Sequence, residues 1–87
     1  MKPITFFMFN ECPHCQLALK QMQTLFDEDP RYKELDIKQI NEREEPALAD
    51  TYDYYYVPTY YVGDEKVHEG HAEYEDVKKV FDLALEG

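Results

Sequence analysis

No stretch of this chain approaches the roughly 18 consecutive apolar residues of a membrane-spanning helix; its most apolar run covers only residues 4–9. The same run is shorter than the roughly 7–15-residue apolar region of a secretory signal, and no small-residue cleavage site follows it, so a cytoplasmic protein is expected. Positive charge is scarce, with 9 basic against 19 acidic side chains and a formal net charge of −10. Such a surface repels phosphate backbones and anionic lipid, which argues against nucleic acid or a membrane as partner. Cysteine is scarcer still. The two present cannot build a disulfide framework, and the loop between them is too short for a bridge to add much stability. A pair this close is kept for reactivity or for a metal. Against these absences stand 44% apolar residues, including eight tyrosines and five phenylalanines, enough to form a core and to exclude disorder. With 87 residues and no linker, repeat or low-complexity segment, a single domain over 1–87 and a monomer are expected.

Periodicity divides the chain into seven elements. Residues 4–9 are apolar on both faces and predict a central strand. From Pro13 to about Glu28 the spacing turns helical, with Cys15, Leu19, Met22 and Phe26 in one stripe, Ala18 and Leu25 beside it, and Lys20, Gln21 and Gln23 toward water. Pro13 suits the first helical position, where its missing N–H costs nothing. Residues 35–40 predict a half-polar edge strand. A second helix is expected to start between Glu42 and Pro46 and to end near Tyr52, either capped by an Asn41–Glu44 box or opened later by Pro46. Residues 57–62 read as a strand opened by proline, turning at Gly63-Asp64 into a hairpin partner over 65–69 that Gly70 ends. The last helix, over about 72–85, carries Val77, Val80, Phe81, Ala84 and Leu85 on one face.

Reactive chemistry is concentrated in Cys12-Pro13-His14-Cys15, between the first strand and the first helix. Two thiols on one helical turn can close a small disulfide ring, and Cys-x-x-Cys in this setting reads as a redox motif. Three segments together resemble the thioredoxin and glutaredoxin superfamily over nearly the whole chain: this motif after the first strand, residues 46–52 before a loop, and Val57-Pro58-Thr59, where the family carries a cis proline. The resemblance implies an α/β thioredoxin fold, with a four-stranded mixed sheet in the order 2-1-3-4, its first two strands parallel, and three flanking helices. Departures accompany it. Phe6 stands where thioredoxins have a buried aspartate, and no tryptophan flanks the motif. Phe9 and Gly70-His71-Ala72-Glu73 occupy regions where glutaredoxins carry a lysine and a Gly-Gly-Asp that serve glutathione.

By this reading Cys12 is the attacking thiolate, at a helix N-terminus whose free N–H groups favour negative charge by roughly 0.3–2 kcal/mol. Glu11, at about 7 Å, opposes it by roughly 0.6–2.4 kcal/mol at an effective dielectric between 20 and 80. His14 then decides the balance, either as a donor to the thiolate or as a solvated turn residue of no consequence. In the first case the couple lies above the roughly −270 mV of ordinary thioredoxin. Cys15, one turn in and partly buried, resolves the mixed disulfide. The resemblance assigns substrate contact to Tyr56, Val57, Pro58, Thr59 and Gly70, with a cis Pro58 leaving the Val57 backbone free to pair with an extended segment. The bland alternative is a trans proline that merely opens a strand. Tyr52, Tyr54, Tyr55, Tyr56, Tyr60 and Tyr61 form an aromatic belt able to dock substrate or simply to fill the core.

The expected function is thiol-disulfide exchange on disulfide-bearing protein substrates, with the dithiol restored by a thioredoxin-reductase-like or a glutathione system and no bound cofactor. A glutathione-dependent glutaredoxin is the second reading. A non-enzymatic zinc or iron-sulfur module is the third. His68 and His71 lie too far along the chain from the cysteines for a compact zinc module, so no metal is expected.

Overall fold

The computed structural model describes residues 1–87. In chain order it contains β1 (Ile4–Met8), α1 (Pro13–Glu28), a 3-10 helix (Pro30–Glu34), β2 (Ile37–Asn41), α2 (Pro46–Ala49), β3 (Thr59–Val62), β4 (Glu65–Glu69) and α3 (Tyr74–Glu86). The sheet is mixed, with order β2-β1-β3-β4. β1 runs parallel to β2, pairing Ile4 with Ile37 and Met8 with Asn41, and antiparallel to β3, pairing Phe7 with Thr59. β3 and β4 form an antiparallel hairpin whose register shifts between Tyr60 and Tyr61. The mixed sheet, its order and its parallel first two strands are those that the resemblance implies, and the hairpin is the one expected after Gly63-Asp64.

The faces of the sheet are covered unequally. Ile4, Phe6 and Met8 of β1 and Tyr60 and Val62 of β3 point to one side, where they pack with Cys15, Ala18, Met22 and Leu25 of α1 and Val77, Val80, Phe81 and Ala84 of α3. The intervening residues Phe7 and Tyr61 point to the other side, where Ile40 and Ala49 complete a much smaller cluster. Strand alternation thus sends neighbouring aromatics to opposite layers. Along α1 the buried line is Cys15-Ala18-Met22-Leu25, with Leu19 and Phe26 on its half-exposed flank, so the helix is turned slightly from the predicted stripe.

Several boundaries move for local reasons. Asp29 and Pro30 open the unpredicted 3-10 turn: the Asp29 carboxylate accepts the Arg31 amide at 3.0 Å and Tyr32 is buried. Leu35 closes that turn by donating its amide to Tyr32 at 3.2 Å, which delays β2 to Ile37. The Asn41–Glu44 capping box does not form; the Asn41 side chain accepts the Arg43 amide at 2.9 Å, giving a turn, and the helix waits for Pro46. α2 is a single turn, because beyond Ala49 the chain continues as tighter turns, with Thr51 bonded to Leu48 and Tyr52 to Ala49. Thr59 replaces Val57 as the first residue of β3, since Pro58 has no N–H to give a ladder; the Val57–Pro58 peptide is cis. α3 starts at Tyr74 rather than Ala72, where the Asp76 carboxylate accepts the Glu73 amide at 2.9 Å.

Candidate functional site

Cys12 is the N-cap of α1, with extended backbone angles of φ −81 and ψ 113, and Pro13 follows in the first turn. N-cap positions favour a side chain that accepts from the first helical amides, and here a sulfur takes that part: Cys12 Sγ accepts the Cys15 N–H at 3.1 Å. The sulfur is therefore drawn inward, and Cys12 is only 5% exposed. Cys15 is wholly buried rather than partly so. Burial, followed by its hydrogen bond with Cys12, pushes the Cys15 thiol up to about 12. Both cysteines are free thiols.

His14 is exposed on the same turn, and its hydrogen bond goes to neither sulfur. Its Nδ1 lies 2.8 Å from Nδ1 of His71, with the rings nearly perpendicular at 87°. The expected contact with a thiolate is replaced by this cross-link between α1 and the loop after β4, and the case for a raised potential loses its structural support. Glu11 is likewise engaged elsewhere. It pairs with Arg43 at 3.0 Å, and the Arg43 guanidinium stacks on Phe9 at 3.8 Å, so a positive charge accompanies the carboxylate that was expected to oppose the thiolate.

The first turn of α1, the cis-proline loop and the Gly70-His71 loop are tied to one another. Gly70 adopts φ +90, a conformation that strains any side-chain-bearing residue, and donates its amide to the Pro58 carbonyl at 2.8 Å. This bond joins the Gly70-His71 loop to the cis-proline loop, while His14–His71 joins it to α1. Pro58 and Thr59 are buried, and the Thr59 hydroxyl donates to the Tyr56 carbonyl. Val57 packs against both apolar clusters, and neither its amide nor its carbonyl forms a backbone hydrogen bond. Tyr56 stands outward at 70% exposure and Tyr55 at 84%. All nine residues singled out from the sequence thus lie in or between segments that these contacts connect.

The aromatic belt does not hold together. Tyr52, Tyr54 and Tyr61 surround Phe7 on the thin face, with ring centroids at 4.7, 4.6 and 5.9 Å. Tyr60 is buried on the opposite side, stacked on Phe6 at 4.8 Å, so only Tyr55 and Tyr56 remain to face solvent. Tyr60 takes the volume behind Cys15, and its hydroxyl has no hydrogen-bond partner; burial first, then the proximity of Cys15, pushes that phenol upward.

Two contributors escaped the sequence reading. Glu69, the last residue of β4, accepts the amides of Tyr55 and, at 3.0 Å, Tyr56, and pairs with Lys66 at 2.8 Å. The Lys66 ammonium, followed by the two amides, pulls the Glu69 carboxyl down to about 2. A signal existed: amides just before an X-Pro segment lack ladder partners and need an acceptor, and an acid precedes Gly70 on the neighbouring strand. His71 is the second. Set aside in the sequence as too distant from the cysteines for a zinc module, it holds His14 on one side and meets the Glu73 carboxylate through Nε2 on the other.

No protein-family model and no curated protein sequence matches the chain. Similarity appears at the level of structure. A solved structure described as that of a malarial protein superposes with a TM-score of 0.69 at 15% identity, covering 94% of both chains. The first two thioredoxin domains of Saccharomyces cerevisiae Eps1p superpose with a TM-score of 0.54 at 16% identity, covering 95% of this chain and 34% of that one. At such identities the likeness concerns the fold alone. The α/β architecture with sheet order 2-1-3-4 and three α-helices is thioredoxin-like. No helix is long and apolar enough to cross a membrane.

Proposed function

We propose that the protein is a thiol-disulfide oxidoreductase acting on protein disulfides through Cys12 and Cys15. The observation that carries this reading is the Cys12 sulfur at the N-cap of α1, accepting the Cys15 amide at 3.1 Å, with a fully buried thiol behind it. An N-cap favours an ionised acceptor, so the arrangement suits a thiolate at Cys12 better than a thiol. Burial holds Cys15 as the protonated reserve.

In the forward direction Cys12 attacks one sulfur of the substrate disulfide, and the other sulfur leaves as a thiol. Cys15 then displaces the substrate from Cys12. Two electrons pass from the dithiol to the substrate, and the Cys12-Cys15 disulfide forms. Substrate approaches along the Val57 backbone, whose unpaired amide and carbonyl can accept an extended segment as an added strand, flanked by the exposed rings of Tyr55 and Tyr56. Pro58 and Thr59 fix the floor of that approach and Gly70 its side. A thioredoxin-reductase-like flavoenzyme or glutathione restores the dithiol.

Reduction of insulin with dithiothreitol as donor tests the reading. Wild-type protein accelerates precipitation of the insulin B chain, and Cys15→Ser stops turnover while accumulating a covalent Cys12-substrate adduct on a non-reducing gel. A wild-type protein that leaves insulin reduction at the dithiothreitol background contradicts it. Supplying either a flavin-dependent reductase or glutathione with glutathione reductase identifies the donor.

A further inference from the structure

The parallel strands β1 and β2 end side by side at Met8 and Asn41, and next to that end, on the thin face, lies a groove of about 340 Å³. Pro46 and Ala49 of α2 line it together with Tyr52, Tyr54 and Tyr55. Its remaining lining is charged, and through these charged residues the groove adjoins the dithiol segment. Glu42 donates its amide to the Met8 carbonyl at 2.9 Å, Arg43 pairs with Glu11 at 3.0 Å, and Glu11 immediately precedes Cys12. After burial and the Cys12 contacts, the Glu42 carboxylate is also among the groups that hold the Cys15 thiol up.

The charges of the groove do not balance. Its one cation, Arg43, is taken by Glu11 and stacked on Phe9 at 3.8 Å. Its two carboxylates, Glu42 and Asp50, pair with no protein cation. Glu42 accepts only a neutral hydroxyl, that of Tyr54 at 2.8 Å. The Tyr54 proton is held on first by burial, then by that hydrogen bond, and the charge of Asp50 adds to the effect, so both carboxylates act on one phenol. Carboxylates beside tyrosine rings suit a cation on a long apolar stem, because the acids pair its head while ring faces take the stem and attract the charge. An anion is disfavoured by the surrounding chain, where residues 42–53 hold five carboxylates against one guanidinium.

We propose that this groove is a specificity subsite that seats an arginine or lysine side chain flanking the target disulfide, so that the substrates of the exchange reaction are basic polypeptides. The assignment of substrate class rests on the exchange reaction proposed above; the seating of a cation in the groove does not. Tyr55 connects the two. It lines the groove, is 84% exposed and also flanks the Val57 backbone along which a substrate strand approaches. Glu69 fixes the amides of Tyr55 and Tyr56, so the rim shared by groove and strand is ordered before a partner arrives.

Three synthetic peptides that share one disulfide ring and differ only in its flanking residues, arginine, glutamine or glutamate, test this on the full-length protein. The arginine peptide is expected to be reduced with a kcat/KM about tenfold above that of the glutamine peptide, the combined size of one exposed ion pair and one cation–ring contact, and the glutamate peptide to be the slowest. The preference shrinks at about 1 M salt, where charges are screened beyond about 3 Å. Asp50→Asn lowers the arginine-to-glutamine ratio about threefold. Glu75→Gln, which removes the same charge from the exposed start of α3, leaves that ratio at its wild-type value. Binding is read separately by NMR, using the arginine peptide with serines in place of its cysteines: amide shifts are expected to gather at Ala49, Asp50, Tyr52 and Tyr55 and to weaken in Asp50→Asn. Equal kcat/KM for the arginine and glutamine peptides, or a ratio that both variants lower alike, overturns the subsite. If no peptide is reduced at all, the exchange reading fails, and the NMR titration alone decides the groove: shifts that are absent or lie elsewhere overturn it too.

Discussion

One face of the sheet is thick and the other thin. On the thick side 17 buried residues, Cys12 and Cys15 among them, are closed off by α1 and α3. On the thin side four buried residues lie under a one-turn helix and tyrosine rings, whose polar ends are anchored by Tyr54 to Glu42 at 2.8 Å and Tyr61 to the Asp53 carbonyl at 2.7 Å. The difference separates two requirements of the site. A buried thiol needs a dry, low-dielectric layer, which two full helices supply. The segment that meets a partner needs exposed backbone and surface rings, and these come from the loop running off the thin side, where Val57 touches both layers.

The largest expected effect separates chemistry from packing. Cys12→Ser removes disulfide reduction altogether, whereas Leu48→Ala on the thin face leaves the insulin-reduction rate near wild type; equal losses in the two variants would erase the distinction. Stability is expected to follow the same asymmetry. Phe81, fully buried between Phe26 and Tyr32, costs about 3–5 kcal/mol when truncated to alanine, and half-buried Leu48 about 1 kcal/mol, as read from urea unfolding midpoints.

Smaller effects probe the loop. Glu69→Gln weakens a carboxylate that accepts two amides and is expected to cost about 1–3 kcal/mol, with faster hydrogen exchange at Tyr55 and Tyr56. The pH dependence has a definite sign. Because the folded Glu69 carboxyl lies at about 2, below its ordinary 4.5, its stabilisation is complete above pH 4.5 and is lost as pH falls from there toward 2. Glu69→Gln should flatten that acid limb. Cys15 gives the opposite sign and no effect at neutral pH: its folded value of about 12 against an ordinary 9.0 means stability is full below pH 9 and lost as pH rises toward 12. Only the reduced protein has that proton, so the reduced-minus-oxidised difference in unfolding midpoint should shrink over this window, while buried tyrosines titrate in both forms and cancel.

What the sequence made legible was local. The apolar run of β1, the spacing of α3, Pro13 at a helix start and the order of elements each depend on neighbours a few residues apart, and each predicted strand or helix is present, α1 and β4 with the expected bounds and the others with shifted ends. The Val57-Pro58 cis bond was legible only through the family resemblance. The misses are contacts between distant segments. His14 meets His71 across 57 residues of chain, and the choice between a thiolate and another imidazole as its partner lies in the path of the Gly70 loop, not in any local pattern. The six tyrosines show why a belt cannot be read from composition: Tyr60 and Tyr61 are adjacent, yet strand alternation sends one behind Cys15 and the other to the opposite face. The inward turn of Cys12 is a capping geometry, visible only once the Cys15 amide is in place.

The claim that everything else depends on is that the two sulfurs behave as one reversible couple. Equilibrating the protein across a series of glutathione redox buffers, quenching with an alkylating reagent and counting labels by mass spectrometry tests it directly. The expected result is a single two-electron transition in which both thiols are lost together, to an internal disulfide and without glutathione adducts at the end point. Thiols that persist or oxidise independently across the series would contradict it.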